Sequence, residues 1–326
     1  MATGVITNAD GTASFHQSSE IEKHTTPMLV KVFNQLFEEE LPDYRRNANQ
    51  GVCELITDTS RQLQGYDLFL HLKKLLPVGS VCTVDFKIDT YLSRNIFLEL
   101  ISQCKAAKLG YPFKHMQWVF YYFVQSGDMF LMDMAQVTPW VQAKIRRIIG
   151  HQKTGRETHP FSIAGTPNLT YQSFNLSVRD AALLKECPGV YLLRLCDHVS
   201  HDILREPILT YNLYLKKENL SRAANKQIPP LKFVVPVEPC HLDSRLPKQS
   251  VAQVKELLLK GGGELQHALP CRDDIERLTR KCEEYAFYRP TSRDRGAKLR
   301  KERTHWVLPE DAPVLSLPAT PVARAA

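Results

Sequence analysis

Two rhythms of apolar residues run along this chain. Leu29, Val32, Phe33, Leu36 and Phe37 recur at i, i+3, i+4, i+7 and i+8, which is one stripe of a helix. Thr26-Pro27 supplies a cap and a first-turn proline for it, and Pro42 stops it after Glu38, Glu39 and Glu40. Leu68, Phe69, Leu72, Leu75 and Leu76 predict a second helix over 65–76. Val84, Phe86 and Ile88 alternate with Asp85, Lys87 and Asp89, the pattern of a half-buried strand. Ile96, Phe97, Leu100, Ile101 and Cys104 predict a third helix, capped by Ser93 and ended by Gly110. Residues 116–124 are aromatic and β-branched. Ser126-Gly127-Asp128 turns the chain, and 129–134 return as a partner strand. Thr138-Pro139 then opens a helix with Val141, Ile145, Ile148 and Ile149 on its apolar face, ended by Gly150.

Past a polar stretch at 151–169, strands are predicted at 170–177, 189–195, 208–215 and 231–237, and helices at 250–260 and 272–287. The fold class expected is α+β: two lobes of mixed helices and mainly antiparallel sheet, 25–150 and 170–288, joined by a basic linker at 151–169. Residues 1–24 are expected to be a mobile arm. Residues 289–326, basic and then rich in Pro and Ala, are expected to be a disordered tail.

Length and composition fit this picture. The 326 residues are 43% hydrophobic and 24% charged, which excludes a wholly disordered chain. The longest apolar run, Trp118 to Val124, is far short of the ~20 residues of a spanning helix. The N-terminus lacks the basic and apolar blocks of a secretory signal, and the cysteines form no CxxC pair. Reduced thiols and an intracellular location, cytoplasmic or nuclear, are expected.

Charge changes the picture more. The net charge is +7. Residues 144–157 hold Lys144, Arg146, Arg147, Lys153 and Arg156 against Glu157 alone, a net +4. Residues 293–303 hold six cations, Arg300, Lys301 and Arg303 among them, against Asp294 and Glu302, again +4. The rest of the chain is near neutral, so the basicity is two local patches. Such patches attract phosphate-rich surfaces, either nucleic acid or anionic lipid. On the predicted helix the cations fall away from Val141, Ile145 and Ile148.

Other constellations have plainer readings. Cys196, Asp197, His198, His201 and Asp202 are metal-ligand types, with Cys240, His241, His267 and Cys271 elsewhere, but no CxxC or HExxH pairs them. A polar loop with buried neutral cysteines accounts for them, and no metal or cofactor is expected. Trp118, Phe120, Tyr121, Tyr122 and Phe123 could stack bases, but no cation lies among them, so core packing or an oligomer contact is expected. No GxSxG, P-loop, GxGxxG, HExxH or kinase set occurs, so an enzyme is not expected.

Ser177 to Leu184, followed by Pro188-Gly189-Val190-Tyr191-Leu192-Leu193-Arg194, resembles the opening of an SH2 domain. That resemblance implies a phosphopeptide-binding module in 170–262, with Arg194 gripping phosphate, Arg179 assisting, and Tyr211 to Leu215 as the next strand. The loop after Arg194 is long and acidic, and the segment 231–237 lacks the histidine of that family.

The function expected is non-enzymatic binding of a polyanion, RNA or DNA, by a structural or regulatory protein of viral kind that self-associates. A membrane-associated matrix or movement-type protein would use the same patches on acidic lipid.

Overall fold

The computed structural model describes residues 15–58, 66–75, 80–90, 94–103, 108–114, 116–150, 161–164, 173–224, 233–235 and 245–260. In chain order its helices are α1 (Phe15–Leu36), α2 (Asp43–Asn47), α3 (Met134–Gly150), α4 (Asp180–Glu186), α5 (His201–Ala224) and α6 (Val251–Lys260). Its strands are β1 (Cys53–Leu55), β2 (Leu68–Leu70), β3 (Cys82–Asp89), β4 (Asn95–Gln103), β5 (Lys108–Leu109), β6 (Trp118–Phe123), β7 (Asp128–Asp133), β8 (Phe161–Ala164), β9 (Ser173–Arg179) and β10 (Val190–Arg194). The fold is α+β.

Two compact units result, and neither is a continuous stretch. One comprises the described residues of Met1–Phe97, Lys114–Val137 and Val178–Leu265; the other comprises those of Leu98–Phe113 and Thr138–Ser177. The expected boundary at 151–169 therefore does not separate two sheets. Strand β10 pairs with β7 along its whole length, from Val190↔Met132 to Arg194↔Asp128.

The first unit is built on a six-stranded sheet in the order β1-β2-β3-β6-β7-β10. All its pairings are antiparallel except β3 with β6. A parallel pair needs a crossover, and the chain between β3 and β6 carries β4 and β5. Trp118, Phe120 and Tyr122 on one face of β6 join a core with Leu29, Val32 and Phe33 of α1, Phe37 just past its end, Leu204, Ile208, Tyr211 and Leu215 of α5, and Val254 and Leu258 of α6. Phe33 sits 5.2 Å from Phe120, ring centre to ring centre. Val119, Tyr121 and Phe123 on the other face are buried too. The aromatic run is core, as its freedom from charge implies. The β6–β7 hairpin turns through Gly127 at φ +71°, a left-handed conformation that glycine adopts without strain.

The second sheet has the order β5-β4-β9-β8. Gly110 lies against β4. Its N–H donates to Leu100 O at 3.0 Å, and a Cβ there would stand 1.7 Å from Glu99 O. This close approach, not a helix end, is what the glycine serves.

Several elements differ from their sequence patterns for identifiable reasons. Residues 95–103 are a strand, not a helix: Ile96, Leu98 and Leu100 are buried in alternation, and Phe97 and Ile101 blur the period. Leu68–Leu70 is a strand within the span read as a helix at 65–76. Residues 208–215 lie in helix α5, because Leu204, Ile208, Tyr211 and Leu215 form its buried stripe, while the exposed Leu209 and Leu213 mimic alternation. Helix α1 begins at Phe15, within the expected arm, and passes through Pro27. Helix α3 begins at Met134, so Pro139 is interior. The segment 231–237 is described only at Phe233–Val235, which is not strand. The predicted helix at 272–287 and the tail at 289–326 lie outside the described residues.

Candidate functional site

Helix α3 carries the first basic patch. Asp133, the last residue of β7, caps it: its carboxylate accepts from Ala135 N at 3.1 Å and from the Gln136 amide at 2.8 Å. Thr138 is not the cap. Its hydroxyl is buried and donates to Pro112 O at 2.6 Å. Val137, Val141 and Ile145 are buried along one side of the helix. Trp140 is only partly buried, and Lys144 Nζ sits 5.4 Å from the centre of its ring. The spacing i, i+4 stacks the two side chains on one helix face, and the ring's electron-rich face attracts the ammonium. A partly open indole beside a cation can present a stacking face and a phosphate contact together.

Arg146 and Arg147 follow on the same helix, near the end where cations offset its dipole; their side chains lie outside the described residues. So do Lys153, Arg156, Arg300, Lys301 and Arg303. The structure thus places three of the eight predicted cations on one helix, describes the side chain of one, and adds Trp140, which the charge count passed over. An aromatic at i−4 from a lysine was the available signal.

Arg194 serves a different end. It is buried at the edge of the sheet, and its Nε donates to Asp128 Oδ1 at 2.9 Å. The two residues are direct cross-strand partners. Burial pushes the Asp128 carboxyl above its ordinary value, and the Arg194 guanidinium partly opposes that rise. Arg194 is thereby matched by an internal carboxylate. With Tyr211 to Leu215 in a helix, the strand that the SH2 resemblance requires is replaced. Arg179 is exposed, at the position preceding α4.

Cys196 sits in a 3₁₀ turn after β10. Burial, then Asp197, pushes its thiol up, which disfavours the thiolate that binds metal. Lys248 pairs with Asp197. Among the described residues no group of three His, Cys, Asp or Glu side chains gathers at metal-binding distance. Cys240, His241, His267 and Cys271 lie outside them.

Two polar clusters had no sequence signature. In the first, Tyr44 OH lies 2.9 Å from His71 Nδ1, and His71 Nε2 lies 2.7 Å from Glu54 Oε2. Arg45 Nη1 donates to the same Glu54 oxygen at 2.8 Å, and Arg45 Nε donates to Gly51 O at 2.7 Å. Burial would raise the Glu54 carboxyl, but hydrogen bonds from His71 and Arg45 outweigh it and hold it below its ordinary value. Burial and then Arg45 lower His71, against Glu54. A neutral imidazole that accepts the Tyr44 hydrogen bond at Nδ1 and donates from Nε2 to Glu54 fits those two contacts, with Arg45 Nη1 3.0 Å from the same Nε2. The cluster ties α2 to β1 and the end of β2.

In the second, Asp67 precedes β2 and its N–H bonds to Val84 O at 3.0 Å, which sets it across from Asp85 on β3. Asp85 is buried, with Lys87 Nζ at 2.8 Å. Burial pushes its carboxyl up to about 8, with Lys87 pulling down and Asp67 pushing further up.

No helix among the described residues is long and apolar enough to cross a membrane. No family model, curated protein or solved structure matches the chain.

Proposed function

We propose that this protein is a non-enzymatic polyanion-binding protein that takes RNA or DNA along the outer face of helix α3. The observation that carries the reading is the half-buried Trp140–Lys144 pair on a helix whose adjoining side, Val137, Val141 and Ile145, is held in the interior. Burial of that side fixes the helix, so the basic side is presented at no cost in ordering the backbone. Lys144, Arg146, Arg147, Lys153 and Arg156 supply the charge, with Arg300, Lys301 and Arg303 as accessory contacts. Each phosphate they neutralise releases a counterion, so affinity falls steeply with salt. Trp140 adds a stacking surface tolerant of sequence.

The experiment is binding of single-stranded RNA and of DNA to full-length protein, wild type against the triple variant Arg146→Gln, Arg147→Gln, Lys153→Gln. The variant is expected to bind several-fold more weakly with an unchanged melting temperature. Equal binding by the two proteins rejects the patch. Flotation with vesicles containing acidic lipid, in the absence of nucleic-acid binding, would move the same cations to a membrane.

A further inference from the structure

Helix α5 is apolar on two sides. Its inner stripe is Leu204, Ile208, Tyr211 and Leu215. On its outer side Leu209, Leu213 and Leu220 are 63%, 62% and 65% exposed. Two further apolar residues lie beside them. The Asn212 side chain holds Val234 by two hydrogen bonds, donating to its carbonyl at 2.7 Å and accepting from its N–H at 2.9 Å. The flanking Phe233 and Val235 are 51% and 66% exposed. Five of the seven large apolar side chains exposed among the described residues therefore gather on and beside one helix. Scattered singly, such residues would need no explanation; concentrated, they mark a contact surface.

The charge on that face says what covers it. At about 100° per residue, Asp202, Glu206, Leu209, Leu213, Lys216 and Leu220 fall within an arc of about 80°. All six are exposed. Reading along the helix, the acids Asp202 and Glu206 come first, Leu209 and Leu213 follow, then Lys216 with Lys217 beside it, and Leu220 comes last. From Glu206 to Lys216 that order is complementary to its own reverse. Set antiparallel about a two-fold axis near Tyr211, the face brings Leu209 onto the partner's Leu213 and Glu206 onto the partner's Lys216, each contact occurring twice, with Asp202 level with the partner's Leu220 at the rim. A parallel pairing would instead set Lys216 on Lys216 and Glu206 on Glu206.

We propose that the outer face of α5 is the docking surface for a second copy of this chain, packed antiparallel to it. The contact is isologous, so it closes as a dimer rather than growing into a filament. It rests on none of the residues of the polyanion reading and stands or falls apart from it.

The test is sedimentation velocity of the full-length protein over about 1 to about 200 µM, where mass action reveals the dimer. Wild type is expected to shift from monomer to dimer within that range. Leu209→Glu with Leu213→Glu is expected to stay monomeric, with unchanged far-ultraviolet circular dichroism. Glu206→Lys alone and Lys216→Glu alone are each expected to weaken dimerisation by about tenfold through like-charge contact. The double variant, Glu206→Lys with Lys216→Glu, is expected to restore it, because reversing both partners returns every contact to opposite sign. A wild-type protein monomeric throughout overturns the proposal and leaves the face to a different partner. A dimer indifferent to the leucine changes overturns it equally. Weakening by both single reversals without rescue by the double overturns the antiparallel register.

Discussion

Asp85 shows how a single buried group couples this fold to pH. Its carboxyl titrates near 8 in the folded chain against an ordinary value of 3.8. A raised folded value means that stability is fully present at low pH and declines as the unfolded chain ionises. The loss is complete once pH passes the folded value. Melting temperature is therefore expected to fall between about pH 4 and about pH 8 through this group. Asp85→Asn, uncharged at every pH, should melt several degrees above wild type at about pH 9 and lose that advantage near about pH 4. Thermal melts of both proteins across that range check it. A wild-type curve no steeper than the variant's would contradict the assignment.

Two other residues make sharper claims on stability. A Cβ at Gly110 would meet the backbone oxygen of Glu99, which cannot swing aside like a side chain. Gly110→Ala is expected to cost about 3 kcal/mol in urea unfolding. Arg194→Met leaves Asp128 buried without its cation and is expected to cost about 3–5 kcal/mol. Changing both to apolar residues should recover much of that loss, since the penalty lies in the unmatched charge. If Arg194 were a ligand-binding arginine, its removal would cost function at little cost in stability.

At the scale of elements, what could be read from sequence was whatever a short stretch decides alone. The β6–β7 hairpin was legible because two apolar runs flank Ser126-Gly127-Asp128, and both strands and turn are local. Helix α6 was legible as well, and the structure shows a reciprocal cap behind it: Ser250 Oγ accepts from Gln253 N while Gln253 Oε1 accepts from Ser250 N. Helix α5 misled because Leu209, Tyr211, Leu213 and Leu215 alternate as in a strand, although only Tyr211 and Leu215 face the core. Its outer leucines blurred the helical period. Strand β4 misled in the opposite sense. The start of α3 was missed because Asp133, a strand residue in the pairing with β6, is also the helix cap.

Trp140→Ala is expected to lower nucleic-acid affinity by about 1–3 kcal/mol while leaving the salt dependence unchanged, because a stacking contact releases no ions. Lys144→Gln should instead reduce the slope of log affinity against log salt by about 1. Fluorescence anisotropy with a labelled single strand at several salt concentrations separates the two effects.

Over the whole molecule, the α+β class could be read from sequence, and the division of the chain could not. Composition and a polar stretch at 151–169 placed a linker there, yet Phe161–Ala164 within it is strand β8 of the second sheet, and β10, further on, rejoins the first. Strand pairings between distant segments leave no local mark. The same holds for the site clusters: Tyr44, Arg45, Glu54 and His71 meet only because β1 pairs with β2, Cys53 opposite Leu70. Charge, by contrast, is a property that a sequence reports directly, and the concentration of cations at 144–157 is the basis of the functional reading.

That reading is tested most directly by titrating salt against the binding of single-stranded RNA and DNA to full-length protein, wild type beside the Arg146, Arg147 and Lys153 triple variant. Measurable binding at low salt and a steep loss with added salt are expected, with a slope shallower by about 2–3 units in the variant. No binding at low salt, or a slope identical in both proteins, would contradict it.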